Sequence, residues 1–184
     1  MDQLSEPERR AVTAYLQGSE DSGAVWEQAY QELLESGQLG PAIRCTFYLG
    51  MQLIDEGEFS RGGGWIARGQ RLVEERAGDC PERGYLLLPA GIQATEAGDA
   101  EQALAHFSAA AALGTASGDR DLTTLARHAI GRLALGQADP ASGLPLLDEA
   151  MLAVTSGEVS PLVAGIIYCS CIAGCIVRII RVCP

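Results

Sequence analysis

The chain of 184 residues is strongly acidic but otherwise has the composition of a globular protein. It holds 13 basic and 24 acidic residues, a formal net charge of −11, with 47% hydrophobic and 20% charged residues. Because affinity for nucleic acid comes largely from Lys and Arg side chains that release counterions, this balance argues against direct DNA or RNA binding. The length suits one domain or one continuous repeat array. Only 5% of residues are aromatic, so aliphatic and small residues must build most of the core.

The N-terminal segment "MDQLSEPERRAV" has no apolar core and no cleavage site, which argues against a signal peptide. The cysteines are also not spread through the chain as in a small secreted disulfide framework. Four of the six fall in the last sixteen residues: the full set is Cys45, Cys80, Cys169, Cys171, Cys175 and Cys183. We therefore expect a cytoplasmic, reduced protein.

Helices are predicted along the whole chain, because Ala and Leu recur throughout with little Val-Ile-Thr alternation. Turn signals at 17–23, 55–60, 96–101 and 135–143 separate apolar segments at helical spacing. "VWEQAYQELLESG", for example, places Trp26, Tyr30 and Leu33 on one stripe and closes at Gly37. Helices and turns that alternate at regular intervals in this way are typical of a repeat architecture.

Three consecutive glycines, Gly62 to Gly64, follow the turn signal at 55–60 and raise the alternative of a phosphate-binding loop. A Walker loop continues with Lys and Ser or Thr, whereas Trp65, Ile66 and Ala67 follow here, and no strand precedes the triplet. The sequence favours the other reading, in which Gly62 is a small residue inside a helix that lets another helix cross closely. Glycine at such a place costs helix stability, which close packing can offset.

An internal register supports that reading. From a glycine near the end of the first helix of a unit, residues of small, large and small size recur 12, 16 and 19 positions later in the second helix. The three matching sets are Gly50, Gly62, Ile66 and Gly69; then Gly91, Ala103, Phe107 and Ala110; then Gly131, Gly143, Leu147 and Ala150. The first unit carries a blurred version of the pattern.

This register resembles the tetratricopeptide repeat, whose usual length of about 34 residues is shorter than these units. The predicted fold is all-α: an antiparallel helix-pair, tetratricopeptide-like solenoid of about nine helices, in which stacked pairs share one core. The predicted units are 4–37, 41–77, 82–115 and 120–156. A terminal apolar helix over 160–182 follows, which could be an incomplete fifth repeat.

Three segments resemble the helical-repeat region of large bacterial LuxR-type transcriptional regulators: "GEFSRGGGWIARGQRLVEE", "ERGYLLLPAGIQATEAGDAEQALAHFSAAAALG" and "LLDEAMLAVTSGEVSPLVAGIIYCS". In that family the repeats precede a C-terminal helix-turn-helix that binds DNA. The resemblance covers roughly residues 10–170, but no basic recognition helix is present. It therefore implies a sensing or scaffolding part associated with transcription regulation, without DNA binding by these residues.

The end of the chain departs from the family pattern. Ser160 and Pro161 make a good helix start, yet "CIAGCIVRIIRVCP" has no acidic residue and no helix stripe. Our hypothesis is that the tail is truncated or read out of frame before a DNA-binding domain. Two alternatives stay open: a membrane tail anchor, although 162–177 falls short of a bilayer span, and a capping helix that promotes self-association.

No catalytic, cofactor-binding or metal-ligating residues are predicted. The four C-terminal cysteines lack the C-x₂-C spacing of structural zinc sites, so free thiols are favoured over a metal site. His106 lies off the apolar stripe, which favours a solvated position, and His128 has no Cys or Asp at catalytic or ligand spacing. The acidic pairs Asp55-Glu56 and Glu74-Glu75 are interpreted as solvated faces and helix ends.

The expected function is a non-enzymatic protein-interaction or scaffold module that binds a protein or peptide, with a membrane-anchored scaffold as the alternative. In a repeat array the first helices of the units line the groove, so polar residues there are candidates to contact a ligand or peptide. Ordinary surface positions are the competing interpretation for each. These candidates are Tyr48, Gln52, Arg83, Tyr85, Gln93, Arg127 and Arg132.

Overall fold

The computed structural model describes the backbone of residues 4–182 and the side chains of residues 4–76 and 78–172. Regular structure in this part of the chain is helical throughout, with no strand, and the predicted all-α class is confirmed. The nine described helices are α1 (Glu6–Leu16), α2 (Ser22–Glu35), α3 (Leu39–Asp55), α4 (Phe59–Leu72, extended by a π-helical turn at Val73–Ala77), α5 (Arg83–Glu96), α6 (Ala100–Ser117), α7 (Arg120–Gly136), α8 (Pro140–Thr155) and α9 (Pro161–Val182).

Several helices begin where a side chain replaces a missing backbone partner. Asp99, Asp119 and Asp139 precede α6, α7 and α8, and each carboxylate accepts a hydrogen bond from a backbone N–H of the first turn, at 2.9 to 3.2 Å. At α1, Ser5 and Glu8 form a capping box in which the Glu8 carboxylate accepts from the Ser5 backbone N–H at 2.7 Å. These contacts satisfy donors that the helical ladder leaves free, so they set the helix starts.

The helices pack in successive pairs, α1 with α2, α3 with α4, α5 with α6 and α7 with α8, and neighbouring pairs stack on one another. We call the first helix of each pair the A helix and the second the B helix. A helices also contact the next A helix, so α3, α5, α7 and α9 form an inner row. In α3 every residue from 42 to 50 is buried. The hydrophobic core is therefore continuous along the array.

Within a pair, the helices cross where side chains are smallest. A Cβ added at Gly62 in α4 would lie 2.6 Å from the Gly50 carbonyl oxygen in α3. At the equivalent crossing of α7 and α8, a Cβ at Gly143 would lie 2.7 Å from the Gly131 carbonyl oxygen. Contacts this short are not tolerated, so only glycine permits these backbones to approach as they do.

The turns between A and B helices share one backbone conformation. Gly57 and Gly98, seven residues after the glycines of α3 and α5, have φ of 85° and 79°. At the equivalent place after α7 the residue is Ala138, whose φ is 60°. A left-handed conformation is strained for alanine but not for glycine. The turn between α7 and α8 therefore keeps the shared geometry at a small cost in stability.

The last helix packs on one side only. Leu162, Val163 and Ile167 of α9 are buried against α7 and α8, whereas Tyr168 and Ile172 are 44% and 58% exposed. Each earlier A helix is covered by the B helix of its own pair, and α9 has no such cover within the described residues.

Candidate functional site

Three of the seven groove candidates are core residues. Tyr48 and Tyr85 are 6% and 1% exposed, and Gln52 is 7% exposed. The expectation that these side chains face an open groove is therefore corrected. The physical reason is that consecutive A helices pack closely enough for their aromatic side chains to fill the space between them.

The buried tyrosines belong to an aromatic cluster that joins three pairs. Trp26 of α2 stacks on Tyr48 of α3 with ring centroids 5.6 Å apart, and Tyr48 lies 5.8 Å from Tyr85 of α5. Phe47 also contacts both tyrosine rings, at 5.0 and 5.3 Å. The Tyr85 hydroxyl donates to the Asp119 carboxylate at 3.0 Å, which extends the link to the start of α7. This cluster holds consecutive units together.

Burial also decides the charge state of these groups. It raises the pKa of both Tyr48 and Tyr85 well above the ordinary value, because a phenolate would lose its hydration there. Burial likewise raises the pKa of the Asp121 carboxyl, although the Ser160 backbone N–H donates to it at 2.7 Å and opposes the shift. The two phenols are therefore neutral donors and acceptors, not anionic groups.

Gln52 is engaged inside the protein. Its amide nitrogen donates to the Ser22 hydroxyl and to the Glu56 carboxylate, both at 2.8 Å, which ties α3 to the start of α2. Its side-chain oxygen is buried and has no hydrogen-bond partner within the described residues. Since both hydrogens of the amide nitrogen are already donated, the side chain has none left to donate to an incoming peptide.

The remaining four candidates are exposed but do not form one site. Arg83 pairs with Asp79 at 2.8 Å, Arg127 pairs with Glu149 at 3.2 Å, and Arg132 donates to the Ser170 hydroxyl. Gln93 is exposed near the end of α5. Three of these side chains already have partners on neighbouring turns or helices, so the competing interpretation as ordinary surface residues fits them well.

A buried ionic cluster joins α1, α3 and the segment before α5. The Arg44 guanidinium donates to both oxygens of Glu8, at 2.8 and 3.1 Å, and to Glu82 at 3.4 Å. Burial alone would lower the pKa of Arg44, but the hydrogen bond and charge of Glu8 more than offset this and the pKa is raised. The Glu8 side chain is only 1% exposed. Because one guanidinium is held by carboxylates from two other elements, the cluster is a structural junction between units.

An open cleft of about 560 Å³ lies between the C-terminal halves of α6 and α8, above the start of α7. Its cations are already paired across the walls, Arg120 with Glu158 and Arg127 with Glu149. Leu152 of α8 contributes an apolar wall and is 65% exposed. The cleft therefore combines apolar surface with paired cations and with the Asp119 carboxylate, which accepts from the Tyr85 hydroxyl.

The groups considered for metal or nucleophilic chemistry are dispersed. Cys45 is buried, Cys169 is exposed, and the Cys171 sulfur lies 4.0 Å from the Met151 sulfur, while Cys175 and Cys183 fall outside the described side chains. Among the described residues, no three His, Cys, Asp or Glu side chains are grouped to hold a metal ion. His106 is half-buried, whereas His128 is 6% exposed and its Nε2 has no hydrogen-bond partner among the described side chains.

The exposed leucines of the B helices were missed from the sequence. Leu104, Leu144 and Leu152 are 45%, 50% and 65% exposed. Leu104 and Leu144 stand 13 positions after Gly91 and Gly131, so the same register that marks the crossings could have indicated this outward face. Helical spacing alone groups Leu104 with Ala103, Phe107 and Ala110 on one apolar stripe, whereas the structure buries those three and leaves Leu104 exposed.

The comparisons give no family or relative on which to transfer a role. Within the part of the chain that the structure describes, no helix combines the length and apolar character needed to cross a bilayer. The chain matches no protein-family model, no curated protein and no solved structure.

Proposed function

We propose that the chain is a non-enzymatic protein-interaction and scaffold module, of the kind found in the helical-repeat, signal-sensing part of LuxR-like transcriptional regulators. The partner is a protein or a peptide. Such a module works by presenting a long rigid surface, and it needs no cofactor to do so.

The observation that carries this proposal is the repeated crossing geometry. A Cβ at Gly91 would lie 2.3 Å from the ring of Phe107, and a Cβ at Gly50 would lie 2.7 Å from the Ile66 side chain. These pairs occupy the same offsets in successive units, as they do in tetratricopeptide repeats. Repeats that stack in this way form extended binding surfaces, because each unit contacts only its neighbours and leaves its outer faces open.

The association with transcription regulation rests on the sequence resemblance alone. The formal net charge of −11 argues that the chain itself does not bind DNA, so a DNA-binding segment would have to act alongside it. An electrophoretic shift assay at physiological salt tests this point, and the expected result is no complex with duplex DNA.

The interaction function is tested by reconstitution. Proteins that co-purify with the full chain from its source cells would be produced in pure form and titrated against it by calorimetry. We expect at least one saturable complex with a Kd in the micromolar range or tighter. If every co-purifying protein fails to bind in pure form, the interaction proposal is wrong. If a pure partner binds but has no connection with transcription, only the regulator assignment fails.

A further inference from the structure

The outward faces of the four B helices differ in charge. α2 carries Glu27, Glu32 and Glu35 with no basic residue, and α4 carries Arg61, Arg68 and Arg71 with no acidic one. α6 and α8 contain no arginine or lysine, but hold the acidic residues Glu101, Asp148 and Glu149. The first two B helices are therefore complementary to one another, while α6 and α8 are both acidic.

The contacts between α2 and α4 show how an acidic B helix is covered in this protein. Arg61 of α4 lies 3.6 Å from Glu27 of α2, and Arg68 lies over the rings of Tyr30 and Trp65, at 5.8 and 4.6 Å. Tyr30 and Trp65 in turn meet edge to face. Arginine and aromatic side chains from the next unit thus fill this part of the outer surface.

The positions that carry Arg61, Trp65 and Arg68 in α4 hold no arginine in α6 or α8. A different face, at positions 13, 17 and 21 after the A-helix glycine, holds Gly63, Ala67 and Arg71 in α4. In α6 and α8 they form an exposed set, which we call the outer stripe: Leu104, Ser108, Ala112, Leu144, Asp148 and Leu152. Leu152 also walls the 560 Å³ cleft between the two helices. The outer stripe therefore presents three exposed leucines among small and polar residues, with a recess beside Leu152.

The charges around the outer stripe are one-sided. Glu101 and Asp148 make no ion pair within the described part of the chain, and the carboxylates of Asp99 and Asp139 add negative charge at the helix starts. The nearby cations Arg120 and Arg127 are already paired, with Glu158 and Glu149. A partner would gain from cations placed beside its apolar residues, since complementary charge speeds association and fixes register.

We infer that the outer stripe of α6 and α8 binds a basic amphipathic helix of another protein, an inference that rests on the proposed interaction function. The apolar side of the bound helix packs on Leu104, Leu144 and Leu152. Alanines of α6 admit it at close range. Its lysine or arginine flanks face Glu101 and Asp148. This is the helix-in-groove mode of recognition, in which apolar anchors recur at helical spacing.

The test uses two synthetic 20-residue helical peptides with the same leucine stripe. One has lysine on both flanks of the stripe, and the other has glutamate at the same positions. Binding to the full chain is measured by fluorescence anisotropy. We expect the lysine peptide to bind at least tenfold more tightly than the glutamate peptide, with an affinity that falls as salt rises.

Matched variants establish where on the chain the lysine peptide binds. Leu144→Asp and Leu152→Asp should each weaken the lysine peptide at least tenfold. Phe59→Asp should leave its affinity unchanged, because Phe59 is 70% exposed on α4, away from the outer stripe. Circular dichroism and thermal melting confirm that all three variants fold. Equal weakening by Phe59→Asp, or no effect of the two leucine variants, would overturn the inference.

A zero-length carbodiimide cross-link supplies a second readout. All thirteen basic side chains of the protein are arginines, so a carboxylate of this chain forms an amide with lysine only when the peptide supplies it. Cross-links of the peptide to Glu101 or Asp148 are expected. Cross-links confined to other units contradict the inference while leaving the interaction function intact. If sedimentation shows instead that Leu152→Asp dissociates a dimer of the protein, the occupant is a second copy and the inference is also wrong.

Discussion

The three consecutive glycines of α4 have different surroundings, although the sequence presents them as one motif. A Cβ at Gly62 would meet the Gly50 carbonyl oxygen and the Ile54 side chain, each at 2.6 Å, whereas a Cβ at Gly63 or Gly64 would meet no described atom within 4 Å beyond the backbone of its own helix. Gly62→Ala should therefore lower the free energy of unfolding by about 1–3 kcal/mol, because the two helices must separate. Gly63→Ala and Gly64→Ala should each raise it by about 0.5–1 kcal/mol, because both are exposed helical positions.

Urea unfolding monitored by circular dichroism measures all three variants. Gly63→Ala and Gly64→Ala are the controls, since they make the same substitution in the same helix. A stabilising Gly62→Ala would show that the crossing of α3 and α4 is looser than the structure indicates.

His128 is a second residue whose surroundings determine a measurable property. Burial, with a smaller contribution from the charge of Arg132, lowers its pKa from 6.5 to about 4. The unfolded chain thus takes up this proton at higher pH than the folded protein does. The favourable contribution is complete above pH 6.5 and is lost as the pH falls toward 4, up to about 3 kcal/mol for this histidine.

The comparison that isolates this residue is His128→Gln, which cannot take up the proton. Between pH 7 and 4.5 the free energy of unfolding of the natural protein should fall more steeply than that of the variant. Difference measurements are needed because burial raises the pKa of Asp55 and Asp121, which act in the opposite direction. Parallel curves for the two proteins would contradict a buried neutral imidazole.

At the scale of the elements, the Glu8–Arg44 pair fixes α1 to α3. The side chains of Glu8 and Arg44 are 1% and 9% exposed, so removing one partner leaves the other charge buried and unbalanced. Arg44→Met should destabilise the protein by about 3–5 kcal/mol. The double variant Glu8→Gln with Arg44→Met should lose less than the sum of the two single losses, because the stranded charge is gone.

The exposed pair between Arg10 and Glu32 is the natural control, because it links α1 to α2 and is 48% and 37% exposed. Its double-mutant cycle should give a coupling energy below about 1 kcal/mol. Equal coupling in the two cycles would mean that the Glu8–Arg44 junction is hydrated like the surface pair.

The elements also show which parts of the architecture can be predicted from sequence. Helix class and turn positions are local properties: alanine-rich periodicity and the aspartates before α6, α7 and α8 act within a few residues of themselves. The burial of Tyr48, Gln52 and Tyr85 depends on the angle at which one pair stacks on the next. No local sequence pattern predicts that angle, so the sequence does not distinguish buried positions of an A helix from positions that line a groove.

The exposure of the outer-stripe leucines is a second feature that local sequence patterns do not predict. Leu104 and Leu144 share a register with glycines that lie at crossings, yet their side chains are 45% and 50% exposed. α4 supplies arginines to α2, while α6 and α8 supply none to each other. The sequence contains this charge difference, but its meaning requires knowing that consecutive B helices are neighbours in space.

At the scale of the whole molecule, contacts between helices are mostly between neighbours along the chain. Stability in such an array is close to a sum of unit stabilities and nearest-neighbour interfaces. Damage at one crossing should therefore open part of the protein and leave the rest folded. Gly62→Ala and Gly143→Ala provide the comparison, because they insert the same methyl group at equivalent crossings of the second and fourth units.

Native-state hydrogen exchange measures the result amide by amide. Gly143→Ala should lower protection in α7, α8 and α9 by more than tenfold while α2 and α3 keep theirs, since the added Cβ lies 2.7 Å from the Gly131 carbonyl oxygen. Gly62→Ala should lower protection in α3 and α4 and also in α2 and α5, because the second unit has neighbours on both sides. Protection that falls uniformly in both variants would mean that the aromatic cluster and the Glu8–Arg44 junction couple all units into one cooperative body, and that the nearest-neighbour description does not hold for this array.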